Sequence, residues 1–215
     1  KYFSDILEYL KIRFNENFYD PQNFTYGSQT GNSLALDIGT VPNDLKSKVA
    51  SSIVKNIREE HDDFISTGIF GIGRIFKALC ENGQEEQAYA LLSKRSNKSF
   101  ATMWEHYDAT TLWEILPVDK NEDLELLNDR SHSHPMQSGY DSWFYSGIAG
   151  ISPDEKEPGF KKIVFKPYLT KYLKQVSGSF KSPNGLILSQ WSNENRRFQW
   201  KIKIPYGSVG EIWLP

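Results

Sequence analysis

The sequence predicts an α+β protein in two parts, a helical region followed by an antiparallel β region. Apolar residues recur at helical spacing up to about residue 150. Beyond that point the apolar period becomes two, which is typical of strands with one buried face. The segment PDEKEPGF at 153–160, rich in Pro, Gly and charge, lies where the pattern changes. We therefore expect one domain over residues 1–155 and a second over residues 156–215.

The helical region is predicted from stripes of apolar residues interrupted by Gly, Pro or Asn. The stripes consist of Phe3, Ile6, Leu7, Leu10 and Phe14; of Leu45, Val49, Ile53 and Ile57; and of Ile69, Ile72, Ile75, Phe76 and Leu79. A short helix is expected over 28–39 and a buried one over 138–151. Successive helical hairpins fit an α/α toroid or a helix bundle, and the spacing alone does not choose between them.

The β region contains five strand candidates bounded by turn residues. They cover residues 161–167, 173–180, 186–192, 198–205 and 211–214. The sequences SPNG at 182–185 and NENR at 193–196 are typical of hairpin turns. We expect an antiparallel sandwich or half-barrel.

The composition of the chain argues against several classes of partner. The formal net charge is -2 and the Lys and Arg residues are scattered, which argues against a nucleic-acid partner. No run of about 18 apolar residues is present, so no membrane partner is expected. The first residues lack an initiating Met and the layout of a signal peptide, which we interpret as a fragment of a longer chain. The compartment of that longer chain stays open between secreted, periplasmic and cytoplasmic.

Few catalytic arrangements fit the motifs present. No G-x-S-x-G nucleophile turn and no phosphate-binding Gly-rich loop occurs, and the glycines of GIFGIGRIF at 68–76 favour close helix packing instead. The only cysteine, Cys80, lies on an apolar stripe and is interpreted as a small core residue. His132 and His134 lack further ligands at metal-binding spacing, so no metal site is expected and both are interpreted as hydrogen-bonding loop residues.

Carboxylates remain as the candidate catalytic groups. Hydrolysis of a glycosidic bond needs one carboxylic acid to protonate the leaving oxygen and a second carboxylate to act as nucleophile or to activate water. Glu114 is a candidate for the second role, since it lies between Trp113 and the apolar pair Ile115 and Leu116. The alternative interpretation is an ordinary surface Glu near the end of a helix.

An ordered series of motifs resembles the bacterial α-L-rhamnosidase family over nearly the whole chain. The series consists of T-G-I-x-G at 67–71, L-x-E-x-G-x-x-x-x-A-Y-x-L-L with slightly altered gaps at 79–92, A-T-T-L-W-E at 109–114, S-H-S-H-P at 131–135, W-F-Y-x-x-I-A-G-I at 143–151 and PGFKKIVFKP at 158–167. Each motif is weak alone. The A-T-T-x-W-E block, followed by S-x-x-H and then P-G-[FY]-K, is specific in this order.

The resemblance implies a fold, a reaction and a set of site residues. It implies the C-terminal part of an (α/α)6 toroid followed by a β-sandwich, and inverting hydrolysis of terminal α-L-rhamnose from a glycan or glycoside without a cofactor. Glu114 matches the general base of the family, and His134 matches the histidine that lines the rhamnose pocket. Trp113 and Trp143 are weaker candidates for sugar contact, because an aromatic residue beside a catalytic carboxylate is more often part of the core.

The chain departs from the family pattern at three places. Ser133 stands where the family usually has Asn, and KSFATMWEH at 98–106 replaces the Pro-Ser-Trp or Pro-Gly-Trp stretch, so that Trp104 could substitute for the missing Trp. No segment before Gln29 resembles the one that carries the general acid. An inverting site needs both carboxylates, so we expect this chain alone to be inactive.

Three alternatives stay open beside the rhamnosidase interpretation. The first is an (α/α)6 glycosidase that acts on another sugar, because one fold hosts many specificities. The second is a noncatalytic carbohydrate-binding module. The third is a scaffolding part of an incomplete toroid, whose exposed helix faces could self-associate.

Overall fold

The computed structural model describes residues 2–117 and 129–215. The chain divides into two compact units, Lys1–Tyr140 and Asp141–Pro215, which we call the helical unit and the β unit and describe separately. The helical-then-β order predicted from the sequence is confirmed. The domain boundary that the sequence predicts near residue 155 stays a prediction.

Six α-helices occur among the described residues of the helical unit, and the first four of them are those predicted above. They are α1 (Tyr2–Phe18), α2 (Gln29–Asp37), α3 (Lys46–Lys55), α4 (Gly68–Cys80), α5 (Glu85–Ser93) and α6 (Phe100–Tyr107). A π-helical turn over Asn56–Glu60 extends α3. The stripes predicted for α3 and α4 form most of their buried faces, and Cys80 is buried as expected. Helix α4 ends three residues before Gly83, whose φ of +74° favours glycine.

Helix α1 differs from the helices that follow it. It has no buried residue, and its apolar side chains Phe3, Leu7 and Leu10 are exposed. Only its C-terminal part packs, where the Phe14 ring stacks on Tyr26 with centroids 5.6 Å apart. The rest of the predicted stripe therefore forms an apolar face that no described residue of the unit covers.

The N-terminal ends of α2 and α4 are joined by side-chain hydrogen bonds. The Ser28 hydroxyl caps α2 by accepting from the Gly31 amide at 3.0 Å. The Gln29 side chain, fully buried, accepts from the Ser66 amide at 2.9 Å and donates to the Phe64 carbonyl at 3.2 Å. These bonds fix the chain that enters α4 and hold one end of the unit together.

The predicted helix over 138–151 is instead a run of short helical turns. A 3-10 turn at Pro135–Tyr140 closes the helical unit, and an α turn at Asp141–Trp143 and a π turn at Phe144–Ala149 open the β unit. Within the helical unit, Gly139 lies against Gly73 of α4, where a Cβ added to Gly139 would come within 3.1 Å of the Gly73 Cα. The predicted close packing at the α4 glycines is therefore confirmed.

The β unit contains six strands in two three-stranded sheets. They are β1 (Ile151–Pro153), β2 (Lys162–Phe165), β3 (Gln175–Ser182), β4 (Gly185–Glu194), β5 (Arg197–Lys203) and β6 (Val209–Ile212). The sheet β3-β4-β5 is antiparallel throughout, with both predicted hairpin turns in place. Asn195 and Arg196 have φ of 51° and 62°, as a tight hairpin turn requires.

The second sheet, β1-β2-β6, is mixed. Strand β1 pairs with β2 antiparallel, whereas β2 pairs with β6 parallel. The predicted antiparallel pairing is confirmed for β1 with β2 and for the β3-β4-β5 sheet, and β2 with β6 is a parallel pair within the β1-β2-β6 sheet, because the chain passes through β3, β4 and β5 before β6 lies beside β2. The core lies between the sheets and contains the buried Ile163 and Phe165 of β2 and Ile187 of β4.

Candidate functional site

The peptide that carries Glu114 is held along helix α6. Asp108 ends α6 in the left-handed conformation with φ of 50°. The chain then runs back toward the start of the helix, where the Lys98 amide donates to the Pro117 carbonyl at 3.0 Å. Glu114 therefore lies on a non-helical segment with both ends fixed, and not at the end of a helix.

A second non-helical segment, residues 129–134, is hydrogen-bonded to the one that carries Glu114. The Glu114 amide donates to the Ser131 carbonyl at 2.9 Å, and the His134 amide donates to the Leu112 carbonyl at 2.8 Å. The Thr111 hydroxyl also donates a hydrogen bond to the His132 carbonyl. The two predicted motifs A-T-T-L-W-E and S-H-S-H-P are thus brought side by side by the backbone itself.

The carboxylate of Glu114 has two partners on this second segment. Its Oε2 accepts from the Ser131 amide at 3.2 Å, and its Oε1 lies 3.5 Å from the guanidinium of Arg130. The side chain is 26% exposed. The carboxylate is therefore held by two groups and has solvent access on one side, which a base that activates water requires.

Trp113 is packed rather than open. Its indole stacks on the His132 ring with centroids 4.1 Å apart and an interplanar angle of 11°. The Tyr107 ring packs on it with centroids 5.5 Å apart. The residue is 8% exposed. Trp113 therefore stabilises the two paired segments, and its contact with sugar stays a prediction.

His134 has a side-chain atom available for a ligand. Its Nε2 is buried and has no hydrogen-bond partner in the described part of the chain. The Gln137 side-chain oxygen, three residues later, is also buried without such a partner within residues 2–117 and 129–215. Buried polar atoms without partners are rare and call for an explanation such as a bound ligand or water.

The two other predicted tryptophans have contrasting environments. Trp104 is 46% exposed and stacks on the buried Phe100 ring with centroids 6.4 Å apart, so it presents an open aromatic surface in the helical unit. Trp143 belongs to the β unit and is buried, and a Cβ added to Gly147 would lie 2.1 Å from its indole nitrogen. Roles for both in binding sugar stay predictions.

No cluster suited to a metal ion is found among the described residues, where no group of three or more His, Cys, Asp or Glu side chains converges. None of the helices in residues 2–117 and 129–215 is both long and apolar enough to cross a membrane.

The comparisons with known proteins cover both units. The family described as the bacterial α-L-rhamnosidase six-hairpin glycosidase domain matches residues 1–148, and the bacterial α-L-rhamnosidase C-terminal domain matches residues 150–215. The chain belongs to the bacterial α-L-rhamnosidase family. The fold of its helical unit is thus part of a six-hairpin toroid, and the resemblance that the motifs indicated is confirmed.

Individual relatives agree with the family assignment. The α-L-rhamnosidase of Formosa agariphila is 28% identical over 96% of this chain and 22% of its own length. The α-L-rhamnosidase of Streptomyces avermitilis is 26% identical over 87% of this chain and 18% of its own length. The chain therefore spans about a fifth of the length of these curated relatives.

Solved structures of α-L-rhamnosidases superpose on the chain. The enzyme from Dictyoglumus thermophilum gives a TM-score of 0.86 at 32% identity, over 98% of this chain and 23% of that one. The Streptomyces avermitilis enzyme complexed with L-rhamnose gives a TM-score of 0.87 at 24% identity, over 99% of this chain and 20% of that one. The second likeness shows the fold alone.

The sequence did not identify every residue of this site. Arg130 and Ser131 contact the Glu114 carboxylate, and Ser131 is 17 residues away from it in the sequence. No periodic pattern predicts a contact of that kind between two loops. Gln137 also belongs to no motif. Its position two residues after the S-H-S-H-P motif, and three after His134, could have indicated that it lies near the site.

Proposed function

We propose that this chain is the base-bearing part of an inverting α-L-rhamnosidase that removes terminal rhamnose from glycans or glycosides. The observation that carries the proposal is the position of Glu114. Its carboxylate lies on a segment fixed at both ends, accepts a hydrogen bond from the Ser131 amide at 3.2 Å and stays partly open to solvent.

The reaction assigns separate roles to two carboxyl groups. Glu114 takes a proton from the water that attacks the anomeric carbon, while a general acid supplied by the preceding part of the longer enzyme protonates the leaving oxygen. The two carboxyl groups stand roughly 6.5–9.5 Å apart, which leaves room for the water between them. Neither step uses a cofactor.

Among the remaining predicted residues, His134 and Trp104 are the ones best suited to bind the sugar. His134 orients rhamnose hydroxyl groups through its buried Nε2, which has no partner in the described part of the chain. Trp104 offers an exposed ring against which a sugar could stack. Trp113 holds the segment of Glu114 in place through its stack on His132, and Trp143 is the weakest candidate because it is buried in the β unit.

The proposal extends to self-association of the 215-residue chain. The uncovered apolar face of α1, which includes Phe3, Leu7 and Leu10, is a surface through which two copies associate in solution. In the longer enzyme, neighbouring helices of the toroid cover this face.

The decisive experiment is hydrolysis of p-nitrophenyl α-L-rhamnopyranoside by the longer enzyme, with the released anomer followed by NMR. We expect β-rhamnose to appear first, and Glu114→Gln to lower kcat by about two to four orders of magnitude. Glu105→Gln, which removes a carboxylate on α6 that pairs with Arg95, is the matched control and keeps kcat near the wild-type value. The 215-residue chain alone is expected to give no turnover.

Each alternative has its own outcome in this experiment. Near-normal turnover by Glu114→Gln contradicts the assignment of the base. Release of α-rhamnose first contradicts inversion. Hydrolysis of a different glycoside instead of the rhamnoside identifies another (α/α)6 glycosidase, whereas binding of rhamnose without any turnover identifies a binding module.

A further inference from the structure

The exposed face of the antiparallel sheet in the β unit carries an ordered array of polar side chains. Because side chains alternate between the two faces of a strand, every second residue of β3, β4 and β5 points away from the core. We call these residues the outer sheet face: Gln175, Ser177, Ser179, Lys181, Leu186, Leu188, Gln190, Ser192, Glu194, Arg197, Gln199, Lys201 and Lys203. Their neighbours along each strand supply the inner face and are partly or fully buried.

A shallow groove of about 480 Å³ lies over the centre of this sheet. The strand pairing places Gln175, Ser192 and Gln199 in one row across the sheet and places Ser177, Gln190 and Lys201 in the next row. These six residues line the groove together with Val176, Trp191 and Trp200, whose side chains point to the opposite face. The groove is therefore bordered by amide and hydroxyl groups, with a cation at one end.

The amides and hydroxyls of the groove can donate and accept hydrogen bonds at the same time. The Gln190 amide already donates to the Ser177 hydroxyl at 2.9 Å, which restricts its orientation, and its side-chain oxygen can accept from a ligand. Such groups suit a ligand that presents many hydroxyl groups. The outer sheet face contains no Phe, Tyr or Trp. Nucleic-acid bases and neutral sugar rings therefore have no aromatic side chain to stack on there.

The charge of the outer sheet face is mostly positive, with four cations and one carboxylate. Lys181, Lys201 and Lys203 have no ion-pair partner among residues 2–117 and 129–215, and Lys201 and Lys203 lie on the same strand about 6.7 Å apart. Arg197 and Glu194 are opposite each other beside the β4–β5 turn and add one charge of each sign. Residues 141–215 contain eleven Lys and Arg against six Asp and Glu, a net charge of +5 in a chain whose total is -2. The face therefore attracts anions.

We propose that the outer sheet face is a binding site for an acidic polysaccharide, in which hydroxyl groups contact the amide and hydroxyl rows while carboxylates pair with Lys181, Lys201 and Lys203. The site is separate from Glu114 and does not depend on the hydrolytic activity. It holds an anionic glycan chain on the β unit. The affinity is modest and falls with salt, because the ion pairs are exposed.

The test is affinity electrophoresis of the 215-residue chain through gels that contain polygalacturonate. The same polymer with its carboxylates methyl-esterified is the uncharged probe, dextran sulfate tests whether sulfate replaces carboxylate, and a single-stranded oligodeoxynucleotide tests general polyanion binding. We expect retardation by polygalacturonate that weakens as salt is raised, with little retardation by the ester. Equal retardation by the ester, or no retardation by either polymer, overturns the proposal.

Matched triple variants locate the site. Replacing Lys181, Lys201 and Lys203 by Gln removes three of the four cations of the face and is expected to weaken binding about tenfold. The control replaces Lys156, Lys161 and Lys171 by Gln, which changes the net charge of the β unit equally at exposed positions outside the outer sheet face, and leaves binding within about twofold. Equal loss in both variants, or equal affinity for the oligodeoxynucleotide, shows a general polyanion effect and overturns the proposal. Preference for dextran sulfate keeps the site and assigns it to sulfated glycans.

The outcome is independent of the proposed hydrolysis. Glu114→Gln is expected to bind polygalacturonate as the wild type does, because Glu114 lies in the helical unit. Loss of rhamnoside hydrolysis and loss of polysaccharide binding therefore arise from different variants and are read by different experiments.

Discussion

The helical unit and the β unit differ in charge and in how their apolar residues are buried. Residues 1–140 contain 14 Lys and Arg against 21 Asp and Glu, a net charge of -7, whereas residues 141–215 carry +5. Helix α1 has no buried residue, while the strands of the β unit alternate between an inner apolar face and an outer polar face. The net charge of the whole chain, -2, does not show this difference in charge between the two units.

The contrast follows from what each type of element needs in order to bury its apolar surface. A helix buries one stripe against neighbouring helices, so a helix at the edge of the described set keeps its stripe exposed. Two sheets that face each other bury both inner faces at once, and the β unit does so around Ile163, Phe165 and Ile187. The β unit therefore has its own closed core, and the helical unit has a closed core only from α2 onward.

The largest expected effect comes from breaking the closed core. Phe165→Ala removes a fully buried ring between the sheets and is expected to lower the free energy of unfolding of the β unit by about 3–5 kcal/mol. Hydrogen exchange followed by mass spectrometry measures this loss separately for peptides of each unit. The control is Phe70→Ala, at a position 70% exposed, which should change stability by less than about 0.5 kcal/mol.

A uniform rise in exchange across both units after Phe165→Ala would contradict a separate core in the β unit. The corresponding substitution in the helical unit is Phe76→Ala, since Phe76 is buried in α4 and packs on Tyr140 with ring centroids 6.0 Å apart. It should raise exchange in the helical unit and leave the slowest amides of β3 and β4 unchanged.

Much of this architecture could be predicted because the spacing of apolar residues along the chain indicates which faces are buried. The stripes of α3 and α4 gave the buried faces, and the turns at 182–185 and 193–196 gave the register of the antiparallel sheet. Strand β1 was missed because it has three residues and ends in Pro, so it carries no measurable alternation. Its residue Ile151 had been included in the predicted helix over 138–151.

The remainder depends on contacts that leave no local pattern. The parallel pairing of β2 with β6 is decided by how the chain closes the sheet, not by either strand alone. At the site, the family resemblance identified Glu114 and His134, but the pairing of their two segments and the approach of Arg130 are loop contacts. Residues that make contacts between loops follow no regular spacing in the sequence, so such contacts cannot be predicted from sequence patterns.

The next largest effect is expected at the uncovered apolar face of α1 in the helical unit. If the α1 face drives association of the 215-residue chain, the double variant Leu7→Glu/Leu10→Glu should weaken it by about 2–4 kcal/mol, because two exposed Leu side chains lose their apolar partners. Sedimentation velocity over a range of protein concentrations measures the change. The control, Ile38→Glu/Phe70→Glu, adds the same charge at two other exposed apolar positions of the helical unit. Association that is equal in both double variants, or a chain that stays monomeric without substitution, rules out the face as the interface.

The smallest expected effect concerns the mixed sheet and its pH dependence. The Nζ of Lys162 in β2 lies 2.7 Å from the Glu211 carboxylate of β6 and 3.2 Å from the Asp154 carboxylate that follows β1. The hydrogen bond from Lys162 is the main cause that lowers the pKa of Glu211, and the Lys156 amide is the main cause that lowers the pKa of Asp154, with Lys162 second. Glu211, followed by Asp154, raises the pKa of Lys162. All three groups are partly exposed to solvent, which screens their charges, so the ion pairs contribute little.

The sign of the pH dependence follows from these directions. Carboxylates with a lowered pKa stabilise the folded state above their unfolded pKa, near pH 4, and this stability is lost as the pH falls through the lowered values. The raised pKa of Lys162 adds stability that is lost only as the pH rises through it, above about pH 10. Lys162→Met should therefore lower the Tm of the β unit slightly at pH 7, and the difference from wild type should disappear below about pH 3. Lys161→Met, one residue earlier and exposed, is the control. A difference that persists unchanged at pH 2.5 would show that Lys162 acts through the packing of its methylene groups rather than through its charge.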